Sequence, residues 1–370
     1  MRVESLQLRD FRTYERAEAP FGPGLTVVHG PNGSGKSNLL EGLYYACTAA
    51  SPRTRNEREL IRFGAAALRA SVQVSDGDAH ELTVAYGAAS PGQEAVKRIS
   101  GDGAPLERLL DSPFRPLLAV FMPDRLELVK GPPALRRAHL DRFVAAMRPS
   151  NAQIPRTYAR VLAQRNALIS AIRAGRSSGG ALDAWDAQLA RAGIELTGAR
   201  REATQALESL FAENAARLGL AGDATLVYRP RTEATTAEEL ELELAQRRNK
   251  DLERGFSEHG PQRDDLLLRR DGRELRTYGS QGEQRLALLS LLLAERRALS
   301  LRRAGVPVML LDDVMSELDA HRRELLVNEL AGDGQAVIAT TDLAHVPDGS
   351  VDRVLLRVEP GAVLVEEHAI

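Results

Sequence analysis

His29-Gly30-Pro31-Asn32-Gly33-Ser34-Gly35-Lys36-Ser37 is the stretch on which the reading of this chain turns. From Gly30 to Ser37 it follows the spacing GxxxxGK(S/T). Leu25-Thr26-Val27-Val28 before it reads as a buried strand, and Asn38-Leu39-Leu40-Glu41 after it opens a helix. That context is what the spacing needs. Glycines let successive backbone N–H groups wrap phosphate oxygens, and the helix N-terminus turns its positive end toward them. Lys36 adds a mobile charge, and Ser37 a hydroxyl for Mg²⁺. A Gly-rich turn that matched by chance would lack the flanking strand and helix and the downstream carboxylates described below. The segment therefore implies a bound nucleoside triphosphate.

The 370 residues leave room for more than one domain, or for a domain carrying an insertion. Hydrophobic and charged residues, at 43% and 27%, are those of a globular protein. Cys47 is the single cysteine, which excludes a disulfide framework or a thiolate metal cage and suits a reducing compartment. The chain opens directly into the alternating run Val3-Glu4-Ser5-Leu6-Gln7-Leu8, with no apolar signal core. Its longest largely apolar run, Leu286 to Ala294, is too short to span a bilayer. A cytoplasmic protein without membrane contact is expected. The net charge of −2 leaves nucleic acid open, since any such site must be a local patch.

Along the chain, Arg2 to Leu8 alternates like a strand and Arg9-Asp10-Phe11-Arg12-Thr13-Tyr14 breaks into a loop. After the phosphate loop, Leu39 to Thr48 reads as a helix. Arg53, Arg55, Arg58 and Arg62 then form a basic segment, and strand-like runs follow at Leu68–Val74 and Glu81–Tyr86. From Arg115 the texture turns helical. Between Lys130 and Arg176 stand ten Lys/Arg against one acid, Asp141, or +9 in a near-neutral chain. Apolar residues at helical spacing from Ala152 to Arg173, a Gly/Ser turn over 175–180, and a three–four alternation from Leu182 to Leu218 predict an antiparallel helical hairpin over 152–218. The acidic stretch Glu233–Glu243 reads as a solvated helix face. His259, Asp264 and Asp265 match no metal-ligand spacing, and read as the polar network of a hairpin turn.

Further on, Thr277-Tyr278-Gly279-Ser280-Gln281-Gly282-Glu283-Gln284-Arg285 runs into a long apolar helix, making a second anion-receptive helix N-terminus. By itself Ser-Gln-Gly-Glu is also an ordinary helix cap. Val308-Met309-Leu310-Leu311 is a buried strand ending in Asp312-Asp313. Carboxylates at such a strand tip belong beside the phosphate loop, one holding the Mg²⁺ shell and the other orienting or deprotonating water. Ala336–Thr340 is another buried strand, with Thr341-Asp342 at its tip, and strands at Val354–Val358 and Ala362–Glu366 close the sheet.

Taken in order, the phosphate loop, the Ser280-Gln281-Gly282-Glu283-Gln284 turn, Leu310-Leu311-Asp312-Asp313 and Ser316-Glu317-Leu318-Asp319 resemble an ABC-type ATPase head. The helical segment between the parts is similar to the SMC-like branch, in which the head is split by an inserted coiled coil. Closer still, the chain resembles the RecF family of bacterial recombination mediators. That match also rests on Leu8 to Tyr14, Phe121-Met122-Pro123-Asp124, Leu128-Val129-Lys130-Gly131 and Gly260 to Asp265. The resemblance implies an α/β fold: a P-loop core and antiparallel β subdomain, 1–115 and 256–370, around a helical arm, 116–255. It implies that Gly30, Asn32, Gly33, Ser34, Gly35, Lys36, Ser37 and Asn38 bind ATP, that Ser37 and Asp312 hold Mg²⁺, and that Asp313 is the general base. Ser280, Gln281 and Gly282 become the signature that touches nucleotide held by the other subunit; Arg12 and Thr341 lie near it. The family pattern is broken in places: Asp313 stands where most ABC ATPases have Glu, which implies slow hydrolysis. Thr340-Thr341 stands at the switch-histidine position, and no glutamine marks the lid.

One loop and one signature per chain imply a C₂ homodimer with ATP at the interface. ATP then closes a clamp on double-stranded DNA, hydrolysis reopens it, and the +9 segment and N-terminal arginines meet phosphates. By resemblance, the task is gap repair in DNA replication, recombination and the SOS response. The chain marks double-/single-strand junctions and, with RecR and RecO, helps RecA displace single-strand-binding protein. Two other readings stay open: a non-hydrolysing scaffold gated by ATP, and another SMC-like ABC ATPase. A transporter subunit fits poorly with an arm inside the head.

Overall fold

Residues 1–88, 94–109, 112–122, 126–302, 306–331, 334–347 and 353–366 are described by the computed structural model of the chain. Pro123 and Asp124, part of one stretch that carried the family resemblance, lie outside them. The chain begins with β1 (Arg2–Phe11), β2 (Tyr14–Pro20) and β3 (Leu25–His29), followed by α1 (Lys36–Thr48). Next come β4 (Ala67–Ser75), β5 (Ala79–Gly87), β6 (Val96–Gly101), β7 (Ala104–Leu106) and β8 (Leu118–Phe121). Helices α2 (Glu127–Lys130), α3 (Pro133–Met147), α4 (Ile154–Arg173) and α5 (Leu182–Arg217) follow, then β9 (Ala224–Arg229) and α6 (Ala237–Arg254). After β10 (Asp265–Arg270), β11 (Arg273–Glu274), α7 (Leu275–Tyr278) and α8 (Gln281–Arg302), the chain ends in β12 (Val308–Asp312), α9 (Ala320–Ala331), β13 (Ala336–Thr340), β14 (Arg353–Glu359) and β15 (Ala362–Glu366).

Packing groups Met1–Arg125 with Leu299–Ile370, and Leu126–Ala298 by itself. These divisions differ from the head and arm expected at 115/116 and 255/256. Sequence texture turns helical near Arg115, yet Leu118–Phe121 forms β8, paired in parallel with β12. Four residues bounded by turn signals are too few to show a period.

The first unit holds two sheets. One is antiparallel, in the order β2-β1-β4-β5-β6-β7. Leu6, Leu8, Val72 and Val84 project from its buried face; on the other face Gln7, Arg9 and Arg69 are exposed while Ser71 and Thr83 are buried against each other. The other has the order β15-β14-β3-β13-β12-β8, with β14, β3, β13, β12 and β8 parallel. Those central strands read as continuous apolar runs because both their faces are buried. Leu39, Leu40 and Leu43 of α1 join the core between them.

In the second unit α4 and α5 pack through Tyr158, Val161, Leu189 and Leu196. Leu240 and Leu244 of α6 enter the same core. The acidic stretch therefore has a buried side as well as a wet one, and Thr236 and Glu239 close its start in a capping box. Among these helices Arg165 is fully buried, with Nε 2.6 Å from Asp186 and Nη1 2.7 Å from Asp251. Strands β9, β10 and β11 make a small antiparallel sheet.

Candidate nucleotide site and arginine clusters

Strand order sets the site. Thr340 of β13 lies level with His29 of β3, and Asp312 of β12 lies level with Ala339. The phosphate loop, Thr341 and the Asp312-Asp313 pair thus leave the same edge of three adjacent parallel strands, the edge where open α/β sheets take ligands.

Two glycines are required by geometry. At Gly30 φ is +151°, and a Cβ would stand 2.3 Å from the Val358 carbonyl oxygen. At Gly35 φ is +119°, and a Cβ would stand 2.7 Å from the Tyr14 hydroxyl. Tyr14 uses that hydroxyl to donate to the Gly35 carbonyl at 3.0 Å, and burial pushes the phenol up, so it remains a donor. Pro31, Asn32 and Gly33 form the exposed rim, while Ser34, Gly35 and Lys36 are buried.

Lys36 folds back over the loop, donating to the Gly30 and Pro31 carbonyls at 2.8 and 2.9 Å. Desolvation lowers its pKa, and the charges of Asp312 and Asp313 work against that. Burial raises the Asp312 carboxyl above its usual range, and the nearby Ser37 hydroxyl works against that rise. Ser34 Oγ and Asp313 Oδ1 are buried without a hydrogen-bond partner among the described residues. Asp313 sits at φ +53°, a left-handed conformation that Asp tolerates, and its N–H is fixed to Ala339 O. A mobile ammonium, two orphaned oxygens and a hydroxyl–carboxylate pair suit a polyphosphate with a divalent cation.

Arg12 is tied to the helix that opens at the loop. Its Nε and Nη2 donate two parallel hydrogen bonds to buried Glu41 of α1 at 2.8 and 2.9 Å, and Nη1 donates to Glu59 O. Arg53 donates to Glu41 and to the Asn38 side-chain Oδ1, and Asn38 Nδ2 donates to Thr13 Oγ1. The loop helix is thereby tied to the β1–β2 turn.

Ser280 is the N-cap of α8, exposed together with Gln281 and Gly282. Its Oγ accepts from Glu283 N at 3.3 Å while its N–H donates to Glu283 Oε2 at 2.8 Å. That reciprocal cap leaves the helix's positive end pointing to solvent.

Part of the +9 segment is consumed inside the protein. Arg136 is buried and paired to Asp265 at 2.7 Å, Arg165 holds Asp186 and Asp251, and Arg137 donates to Asp264 O. Arg142, Arg148, Arg156, Arg160, Arg173 and Arg176 are exposed. His259 and Asp264 serve the same internal network. His259 meets Glu243 at 2.5 Å, and Asp264 accepts from Arg200, Arg231 N and Tyr228.

A family model for an AAA domain matches residues 5–98. The DNA replication and repair protein RecF of Streptomyces avermitilis is 37% identical over 98% of this chain and 99% of its own length. RecF of Anaeromyxobacter is 38% identical, with the same coverage. The chain belongs to the RecF family. A solved RecF–ATP structure superposes with a TM-score of 0.87 at 24% identity, covering 99% of this chain and 97% of that one. An Smc head bound to the C-terminal winged-helix domain of ScpA gives 0.59 at 17%, covering 99% and 97%. The fold is thus the ABC-type ATPase head shared by RecF and Smc. No described helix is long and apolar enough to cross a membrane.

In this RecF-family chain, sequence reading missed Glu41, Thr13 and Tyr14. Glu41 had one signal, an acid placed among Leu39, Leu40 and Leu43 where burial demands a cation partner. Nothing local names that partner as Arg12.

Proposed function

We propose that this RecF-family chain is an ATP-driven DNA-binding ATPase of repair and replication, with a helical arm inserted into a head that takes in β8. The observation that carries it is the Lys36–Ser37–Asp312–Asp313 arrangement on adjacent strand tips. ATP with Mg²⁺ supplies the phosphoanhydride whose cleavage drives the cycle. Lys36 exchanges the Gly30 and Pro31 carbonyls for phosphate oxygens, and the Gly33–Ser37 amides line the rest of the cradle. Ser37 and Asp312 hold the cation. Asp313 orients water and takes its proton through the unpartnered Oδ1. The short Asp in place of Glu keeps turnover slow.

Ser280, Gln281 and Gly282 complete the site of a second copy, so ATP closes a homodimer. The exposed arginines of α3, α4 and the β4 approach hold double-stranded DNA, and the preferred target is a junction beside a single-strand gap. RecR and RecO as partners in loading RecA are supported by the curated relatives' role in replication and repair and by the RecFOR pathway of the solved neighbour. Asp313 also favours a second reading, a scaffold that dimerises on ATP and releases no phosphate even with DNA.

Solution mass with and without ATP–Mg²⁺, for this chain and for Ser280→Arg, tests the proposal. Doubling that needs ATP and is lost in the variant is expected. A monomer under all conditions, duplex DNA included, would sink the clamp.

A further inference from the structure

The register of the antiparallel sheet brings four arginines into one transverse row. Arg16 of β2 lies directly opposite Arg9 of β1, and Arg9 lies opposite Arg69 of β4. Across Ala85 of β5 the row continues to Arg98 of β6. Directly opposed residues of antiparallel strands share a face, so all four side chains leave the sheet on its outer side, and all four are exposed. At about 4.8 Å per strand, the row spans roughly 19 Å from β2 to β6.

Such a row is not what sheet stability selects, because like charges placed directly opposite repel. Nor is it a guard against edge pairing, since β1, β4, β5 and β6 are interior to the sheet and only β2 is at its edge. Counter-ions within the sheet are few. Arg69 alone is engaged, with Ser71 Oγ at 3.2 Å and Glu81 at 3.6 Å. Among the described residues no hydrogen bond or ion pair joins Arg9, Arg16 or Arg98 to an acid. The next row on that face is nearly neutral: Gln7, Ser71, Thr83 and Ser100, with Glu18 its acid. By contrast Lys97, one residue from Arg98, is turned to the other face and fixed to Glu57 and the Ala49 carbonyl. Charge is thus concentrated in a line and, at Arg9, Arg16 and Arg98, left without an acid partner among the described residues, as a surface that meets a linear polyanion requires.

Given the DNA-binding reading proposed above, we infer that Arg16, Arg9, Arg69 and Arg98 form a phosphate track for duplex DNA on the outer face of the antiparallel sheet. The guanidinium planes contact backbone oxygens and read no base, so the track adds affinity and orientation but no sequence preference.

The test compares the parent with R9Q/R16Q/R98Q and the charge-preserving R9K/R16K/R98K, each with ATP–Mg²⁺. Binding of a fluorescein-labelled duplex is followed by anisotropy across a salt series, and melting of the free chains is recorded alongside. In the glutamine variant the slope of log K against log salt should become shallower by about 2.7, near 0.9 for each lost phosphate contact. The lysine variant should keep the parent slope. Melting of the glutamine variant should be unchanged or higher, because repulsion is relieved. An unchanged slope in the glutamine variant overturns the track while leaving DNA binding intact. Lower melting with equal loss in both variants makes the arginines structural and also overturns it. A parent that binds no duplex removes the DNA-binding reading, and the track falls with it.

Discussion

At the scale of single residues, the site divides by whether its logic is local. Lys36, Ser37 and the Gly30 and Gly35 bends were legible because spacing within nine residues fixes them. Asp312 was legible as a strand-end carboxylate because the continuous apolar run of β12 ends at it. The Arg12–Glu41 pair was not, because it depends on left-handed backbone at Asp10 and Arg12, which turns the guanidinium onto α1. Asp312 also carries a pH signature. Burial holds its carboxyl above the usual 3.8, so the folded chain binds that proton more tightly than the unfolded chain does. As pH rises from 3.8 through the folded value, folding therefore loses stability. Asp312→Asn keeps the size and shape of the side chain and does not titrate. Without nucleotide or metal, the variant should be the more stable at neutral pH, with the gap closing on acidification and gone below 3.8. Denaturant melts of both chains at a series of pH values check this, and a pH-independent difference would refute it.

Among the elements, helix and strand periods were legible wherever they ran long enough. Helices α4 and α5 fall inside the expected 152–218. Strand β8 escaped notice because its four residues carry no period and its partner β12 lies far along the chain. The buried side of α6 was masked by its acids, since Leu240 and Leu244 are its apolar core residues and its third buried residue, Asp251, is itself an acid. Composition likewise overstated the basic arm, because charge counted along a chain ignores which cations are turned inward. Arg165 shows the consequence. It is fully buried, bonds Asp186 and Asp251, and also donates to Ser257 Oγ at 2.6 Å. Breaking a buried ion network by removing one partner costs about 3–5 kcal/mol. Here Arg248 still reaches Asp186 and Glu258 N still reaches Asp251. Arg165→Ala should therefore lose about 3 kcal/mol, near the lower end of that range. Urea unfolding measures it directly; a change below about 1 kcal/mol, within reach of an ordinary surface pair, would show that the network is not structural.

For the whole molecule, the decisive feature is incompleteness. One chain offers one phosphate loop and one exposed Ser280–Gly282 helix start, and under the proposed function each ATP is held between one of each kind. If the two come from different copies, two defective chains must repair each other. Lys36→Ala keeps its helix start intact, and Ser280→Arg keeps its loop intact. In the mixed dimer, one site pairs both defects and the other pairs both sound halves. Equal mixing with random exchange makes about half the dimers mixed, each with one working site of two, so hydrolysis should recover to about a quarter of the parent rate. Each variant alone should stay inactive at every concentration. Phosphate release from the mixture, with duplex DNA present, is the measurement. If loop and helix start instead served the same chain's nucleotide, mixing would restore nothing, and the proposed shared-ATP dimer would fall.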